Sequence, residues 1–200
     1  MGRFISVIEL IPESYIAHLD LPKIFGRIAP LHVDLGCGDG SFLCALAKSA
    51  PEKNFLGIER LSGRVRKACR KAANLDNVRV LLAETSYAVR YLLPEASAEA
   101  LYLLFPDPWP KRRHQRRRVL TPEFLQSIHR SLEPNGLLHI ATDQLDYFQQ
   151  MRRLTLGDSQ FETIDPGKNV NLPPTKFERR FQDQGAPIYR IVLRKISPVI

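Results

Sequence analysis

The sequence LHVDLGCGDGSFLCALAKSA, residues 31–50, decides the fold. Its first part, 31–36, is apolar apart from one histidine and Asp34, and it has the length of a buried strand. The glycine turn GCGDG occupies 36–40, and apolar residues at helical spacing follow over 41–50. A strand, a glycine turn and a helix N-terminus in succession let the backbone approach a ligand closely, here at Gly36 and Gly38.

The next strand, NFLGIER at 54–60, carries an acid near its end. This acid is Glu59, which lies 23 residues after Gly36. An acid in that position, at the tip of the second strand, accepts hydrogen bonds from two ribose hydroxyls. The glycine turn and Glu59 together predict a ribose-bearing cofactor.

Outside these two strands, apolar segments alternate with helical ones. Strands are predicted at 78–84, 100–105, 137–142 and 187–196, and a short helix at about Glu13–Leu19. This alternation predicts an α/β fold with a doubly wound, mostly parallel Rossmann-like sheet of about seven strands, the final strand being antiparallel at the sheet edge. We expect residues 1–30 to form an N-terminal extension and residues 31–200 a single domain.

Acidic residues follow or end five of the predicted strands. In such sheets ligands bind at the carboxyl ends of the strands, so these acids are expected in one crevice. GCGDG departs from the G-x-G-x-x-G turn of dinucleotide sites, and an acidic mouth suits a cationic ligand. S-adenosylmethionine has ribose hydroxyls, an amino group and a sulfonium. The five acids are Asp34, Glu59, Glu84, Asp107 and Asp143.

A second informative stretch is LYLLFPDPWPKRRHQRRR, residues 101–118. Its prolines stop the strand and hold Asp107 and Trp109 on a stiff turn. Six of the eight residues in Lys111–Arg118, here called the basic segment, are Lys or Arg. With a net charge of +8 and a pI near 9.6, this favours an acidic partner, nucleic acid or an anionic membrane surface. The predicted phosphate-binding residues are Arg112, Arg113, Arg116, Arg117 and Arg118.

Several other classes of site are disfavoured. No apolar run approaches the roughly 20 residues needed to span a bilayer, so we expect no membrane segment. The three cysteines include no C-x-x-C pair and the five histidines are scattered, so we expect no metal site and a reducing, cytoplasmic location. The sequence leaves open a monomer or a homodimer.

DLGCGDG with GIE resembles the class I methyltransferases. FPDPWPKRRHQRRRV, TDQLDYFQQM and TKFERR are together similar to the bacterial tRNA (guanine-N7-)-methyltransferase family, over about Val33–Lys195. The resemblance implies methyl transfer from S-adenosylmethionine to guanine-N7 in the tRNA variable loop, with Asp107 as the catalytic residue. It implies that the cofactor is bound by Asp34, Glu59, Glu84 and Asp107. It implies tRNA or guanine contacts by Lys111, Asp143, Thr175, Lys176, Phe177 and Glu178.

Two alternatives stay open at this point. A methyltransferase acting on an exocyclic base amine has an Asp or Asn, two prolines and an aromatic residue at this strand tip, whereas here Pro108 and Pro110 flank Trp109. An RNA-binding module with a non-catalytic cofactor site is the other alternative, against which intact Glu59 and Asp107 count. Trp109 itself either stacks on a base or caps the sheet.

Overall fold

The computed structural model describes residues 8–156, 158–165 and 172–196. The strands are β1 (Glu9–Leu10), β2 (Leu31–Leu35), β3 (Asn54–Glu59), β4 (Val78–Leu82), β5 (Ala98–Leu104), β6 (Leu132–Thr142), β7 (Phe161–Ile164) and β8 (Tyr189–Lys195). The helices are α1 (Leu21–Phe25), α2 (Ser41–Ser49), α3 (Ser62–Ala72), α4 (Thr85–Tyr87), α5 (Pro122–Ser131), α6 (Leu145–Leu156) and α7 (Lys176–Asp183). A π-helical turn, Ala88–Leu92, continues α4, and a 3₁₀ helix spans Arg112–Arg117.

In the described part of the chain, one eight-stranded sheet has the order β1-β4-β3-β2-β5-β6-β8-β7. The first six of these strands are parallel, and β8 is antiparallel to both of its neighbours. The predicted doubly wound, mostly parallel sheet is therefore confirmed.

One detail of the predicted sheet is corrected. The eight strands of the described residues agree with the expected number of about seven, and two of them, β1 and β7, lie outside the predicted segments. The final strand, β8, lies between β6 and β7, so the antiparallel edge is Phe161–Ile164. That strand has four residues and buries only Phe161, a pattern too short to indicate a strand.

Helices cover both faces of the sheet. On one face, α2 and α3 pack over a core that includes Leu43, Phe55 and Tyr102. On the other face, α1, the π-helical turn, α5 and α6 pack over Leu56, Leu101 and other buried residues. Each strand in the middle of the sheet is buried on both faces, which explains the nearly continuous apolar runs in the sequence.

The described part of the N-terminal extension packs against the sheet. Its helix lies at Leu21–Phe25 and not at the predicted Glu13–Leu19. The Asp20 carboxylate caps that helix by accepting from the Lys23 amide at 3.1 Å, and Pro22 is in its first turn. Asp20-Leu21-Pro22 is a helix-start pattern. The apolar residues within 13–19 suggested an earlier helix that the structure does not have. Residues 1–7 lie outside the described residues.

The order of the strands determines where a ligand binds. The chain runs from β2 outwards to β3 and β4, then returns to the other side of β2 with β5 and β6. The reversal point between β2 and β5 opens a crevice at the carboxyl ends of these strands. All five predicted acids lie at this edge of the sheet.

Candidate active site

A cleft of about 530 Å³ opens at the carboxyl edge of the sheet, and we call it the cofactor cleft. The glycine turn, the ends of β3 and β5, and the residues after β4 form its walls. Four of the six residues predicted to bind the cofactor line it, whereas Asp34 and Gly38 do not. Those that line it are Gly36, Glu59, Glu84 and Asp107.

Glu59 is the most firmly positioned acid of the cleft. It ends β3 and is 4% exposed. One carboxylate oxygen accepts from the Gly38 amide at 3.1 Å and the other from the Leu61 amide at 2.9 Å. Arg64 lies 3.7 Å away and supplies positive charge. Because backbone amides fix both oxygens, the carboxylate is preorganised to accept further hydrogen bonds from the cleft. Sequence patterns gave no signal for Leu61, which acts through its backbone.

The glycine turn requires glycine for two reasons. All three of its glycines have positive φ, at +82° for Gly36, +57° for Gly38 and +74° for Gly40. A Cβ on Gly40 would also lie 2.8 Å from the Cβ of Ala68 in α3. The turn therefore lets α3 pack against the loop while its backbone faces the cleft.

Asp34 is buried in β2 beside the cleft. It is 5% exposed, and no described residue donates a hydrogen bond to its carboxylate. Burial, with a smaller contribution from the nearby Glu59 charge, raises the pKa of Asp34 to about 7. A cationic group of a ligand close to this carboxyl would favour its ionised form.

The turn that carries Asp107 is strained. Phe105 and Trp109 have φ of +52° and +42°, a left-handed conformation that costs non-glycine residues of the order of 1 kcal/mol or more each. The Phe105 amide donates to the Ala141 carbonyl of β6 at 2.8 Å, which holds the start of the turn. The Asp107 side chain is 71% exposed and lies 3.8 Å from Arg60. Its carboxylate therefore lines the cleft and is accessible to a ligand.

Arg118 corrects the predicted set of phosphate-binding residues. Its side chain is 2% exposed, and Nε donates to the Pro108 carbonyl at 2.8 Å. The guanidinium also donates to Gln150 at 2.6 Å, pairs with Asp146 and lies 4.5 Å above the Tyr147 ring. A buried guanidinium with these partners holds the turn in place and is not available to RNA. The charge run in the sequence could not separate this one buried arginine from its exposed neighbours.

The rest of the basic segment is on the surface. Lys111 precedes the 3₁₀ helix Arg112–Arg117 and is exposed, as are the arginines of that helix. Trp109 lines the cleft, with the Arg117 guanidinium 5.0 Å from its ring centre and His114 edge-on at 5.9 Å. The indole is thus held by the basic segment at the mouth of the cleft. The exposed arginines are Arg112, Arg113, Arg116 and Arg117.

Two residues predicted to contact substrate in the TKFE segment have a local structural role. Thr175 and Glu178 form a capping box at the start of α7. Glu178 also pairs with Arg190 at the start of β8. Phe177 is 50% exposed, with its ring 6.1 Å from that of Phe105. The segment therefore lies beside the turn that carries Asp107.

Lys176 connects this segment to the glycine turn. It pairs with Asp39, which also pairs with Lys71 of α3. Partial burial opposes ionisation of Asp39, but hydrogen bonds from Lys176 and Lys71 outweigh it and hold its pKa well below the usual range. The sequence gave no reason to single out Asp39, since its partners are 32 and 137 residues away.

Glu84 and Asp143 lie at the sheet edge with other partners. Glu84 is the N-cap of α4 and accepts from the Tyr87 amide at 2.7 Å, while also lining the cleft. Asp143 follows β6 and accepts from the Gln144 side chain at 2.5 Å. Asp143 does not line the cofactor cleft.

The described residues contain neither a metal-binding cluster nor a membrane-spanning helix. Over residues 8–156, 158–165 and 172–196, no group of three or more His, Cys, Asp or Glu side chains is arranged to hold a metal ion. In the same ranges, no helix is both long and apolar enough to cross a membrane.

The architecture is shared with solved methyltransferase structures. The antibiotic-resistance methyltransferase Kmr superposes with a TM-score of 0.63 at 17% identity, covering 94% of this chain and 96% of that one. The 16S rRNA methyltransferase KamB superposes with a TM-score of 0.61 at 18% identity, over 90% and 95% of the two chains. The sheet and its cleft therefore define a class I methyltransferase fold.

Sequence comparisons identify the family within this fold. The Methyltransf_4 family model, described as "Putative methyltransferase", matches residues 28–191. The tRNA (guanine-N(7)-)-methyltransferase of Halorhodospira halophila is 40% identical over 92% of this chain and 82% of the relative. That of Rubrobacter xylanophilus is 38% identical over 88% and 81%. The chain belongs to the tRNA (guanine-N7-)-methyltransferase family, and the family's cofactor is S-adenosylmethionine.

Proposed function

We infer that this protein transfers a methyl group from S-adenosylmethionine to N7 of a guanine in tRNA, in the variable loop. One observation carries the inference beyond family membership. The exposed basic segment begins directly after the strained turn that displays Asp107, and Arg117 of that segment lines the cofactor cleft. The cofactor cleft and an exposed basic surface that suits a polyanion are therefore adjacent.

The residues of the cleft fit S-adenosylmethionine. Its volume of about 530 Å³ lies within the usual range for sites of this ligand size. Glu59 would hold the ribose hydroxyls, since its carboxylate is buried and oriented by two amides. Asp34 and the glycine turn would hold the amino-acid part, because a buried carboxyl without a described hydrogen-bond donor suits an ammonium group. When bound, S-adenosylmethionine supplies an electrophilic methyl group on a sulfonium.

Guanine-N7 has an in-plane lone pair that is free at neutral pH, so no residue has to remove a proton. The chain therefore contributes position and charge. Asp107 would face the purine ring, which gains positive charge as N7 is methylated, and a fixed carboxylate stabilises that charge. Its strained turn and the buried Arg118 keep the carboxylate in place.

The exposed basic segment and the residues near the cleft would bind the tRNA. Arg112, Arg113, Arg116 and Arg117 would contact tRNA phosphates, while Lys111, Asp143 and Phe177 would contact the nucleotide near the cleft. Lys176, Thr175 and Glu178 would support this contact through Asp39 and the capping box. We propose that residues 31–200 form one catalytic domain that acts in the cytoplasm, where tRNA is found, as a monomer or a homodimer.

Methyl transfer from labelled S-adenosylmethionine to an unmodified tRNA transcript tests this function. We expect label in one variable-loop guanine, and chain cleavage at that base after mild reduction and aniline treatment, which is diagnostic of N7-methylguanine. Label on an exocyclic amine, or no transfer to any tRNA transcript, would contradict the proposal.

A further inference from the structure

A second groove, of about 350 Å³, lies beside the cofactor cleft and shares Glu84, Arg117 and Val119 with it. Its guanidinium groups come from two segments that are distant in sequence, Arg90 from the π-helical turn and Arg116, Arg117 and Arg118 from the basic segment, and of these Arg118 is paired with Asp146. Building on the proposed function, we propose that this groove binds the single-stranded RNA next to the target guanine. Arg90 would contact a phosphate, and the neighbouring Tyr91 would stack on a base.

The π-helical turn Ala88–Leu92 presents these two side chains. Its apolar residues are buried in the core, whereas Arg90 is exposed and Tyr91 is 45% exposed. Arg130 of α5 holds the turn by donating to the carbonyls of Val89 at 2.8 Å, Arg90 at 3.1 Å and Leu93 at 3.0 Å. A π-helical turn is rare and frequently marks a functional site. The turn is thus fixed to α5, with Arg90 lining the groove and Tyr91 exposed next to it on the surface.

The charge of the groove favours a polyanion. Among the described residues, none of the guanidinium groups of Arg90, Arg116 and Arg117 has a carboxylate within 4.0 Å. The two acids of the groove lie at helix starts, Glu84 as the N-cap of α4 and Glu123 in the first turn of α5. Hydrogen bonds at the start of α5 and, to a smaller extent, the Arg90 charge lower the pKa of Glu123, but all three guanidinium groups lack a close ion-pair partner in the described part of the chain and can bind phosphate through two parallel hydrogen bonds.

The aromatic residues suit unpaired bases. The Tyr91 ring lies 5.0 Å from that of Tyr87, and the Arg90 guanidinium lies 5.2 Å from the Tyr91 ring centre. Exposed aromatic rings beside arginines are typical of single-strand binding, because every base has a face that can stack. Arg117, which lines both the groove and the cofactor cleft, contacts Trp109 at the mouth of that cleft. A single-stranded RNA bound in the groove would therefore run towards Asp107 in the cofactor cleft.

The test measures binding of an unmodified tRNA transcript over a range of salt concentrations. Arg90→Ala should weaken binding and lower the salt slope by about 0.7, the value for one single-strand phosphate contact, and Arg90→Lys should restore the slope. Tyr91→Ala should weaken binding roughly 5- to 100-fold without changing the slope, and Tyr91→Phe should restore affinity. The control is Arg70→Ala, an exposed arginine of α3 on the opposite face of the sheet, which should bind as the wild type does.

Wild-type tRNA affinity and salt slope in both Arg90→Ala and Tyr91→Ala would overturn the proposal, even if the wild-type enzyme methylates tRNA. Equal losses in Tyr91→Ala and Tyr91→Phe, or reduced affinity of either for S-adenosylmethionine, would indicate a structural role and would also overturn it. Failure of the proposed function is seen separately, as absence of methyl transfer by the wild-type protein.

Discussion

Asp34→Asn should make the ligand-free protein more stable at alkaline pH while weakening its binding of S-adenosylmethionine. The carboxyl of Asp34 is buried, and its pKa is raised from 3.8 to about 7. The folded state therefore holds a proton that the unfolded chain releases above about pH 4. As pH rises from about 4 to about 7, the wild-type protein loses stability, because ionisation of Asp34 stabilises the unfolded chain while the folded state keeps the carboxyl neutral, and the loss levels off above about pH 7.

The size of the effect follows from the shift. A rise in pKa from 3.8 to about 7 corresponds to at most about 4 kcal/mol, and local relaxation reduces this to about half. Asparagine has nearly the same shape and no charge. At pH 8 we therefore expect the variant to be about 1–3 kcal/mol more stable than wild type, or several degrees higher in Tm for a chain of this length.

Urea unfolding of both proteins at pH 5 and pH 8, without cofactor, measures this difference. The gain in free energy of unfolding should be large at pH 8 and should shrink at pH 5, where the Asp34 carboxyl is mostly neutral. Calorimetric titration with S-adenosylmethionine at pH 8 should show weaker binding by the variant. A stability difference that is the same at both pH values, or a variant that binds the cofactor as well as wild type, would refute the reasoning.

The other predictions concern the remaining parts of the site. Glu59→Gln should weaken S-adenosylmethionine binding roughly 10- to 100-fold in a calorimetric titration, because a charged ribose acceptor is lost; unchanged affinity would remove Glu59 from the site. Arg118→Met should lower the free energy of unfolding by about 2–4 kcal/mol in urea, because Asp146 and the Pro108 carbonyl lose their donor. Arg116→Ala should lower the salt slope of tRNA binding by about 0.7, and an unchanged slope would show a merely solvated residue. Asp107→Asn should slow single-turnover methylation roughly 10- to 1000-fold at every pH from about 6 to 8, with a wild-type profile that is nearly flat at saturating substrates.

The parallel part of the fold was predictable because its strands carry strong local signals. Apolar runs such as Phe55–Ile58 and the alternation of strand and helix are enough to indicate a doubly wound sheet. The edges were not predictable, since β1 and β7 have only two and four residues and depend on pairing with neighbours. Register and strand order come from contacts that no local pattern encodes.

The candidate site likewise contains residues that local sequence patterns indicate and residues that they do not. Glu59 and the glycine turn were found because their spacing is fixed by the strand–turn–helix unit itself. Arg118 was assigned to the wrong partner, because the direction of a side chain in a run of arginines depends on where Asp146 and Tyr147 fold. Arg90 was missed because nothing in its local sequence shows that it faces the basic segment across a groove.

The central claim is that N7 of a tRNA guanine is the nucleophile, and a single-atom change in the substrate tests it most directly. A tRNA is assembled with 7-deazaguanosine at the base that the wild-type protein methylates, so that N7 becomes a carbon–hydrogen group. We predict that this tRNA binds with wild-type affinity but accepts no methyl group, while the matched guanosine tRNA is fully methylated. Methylation of the 7-deaza tRNA at that base would show that another atom is attacked and would contradict the account.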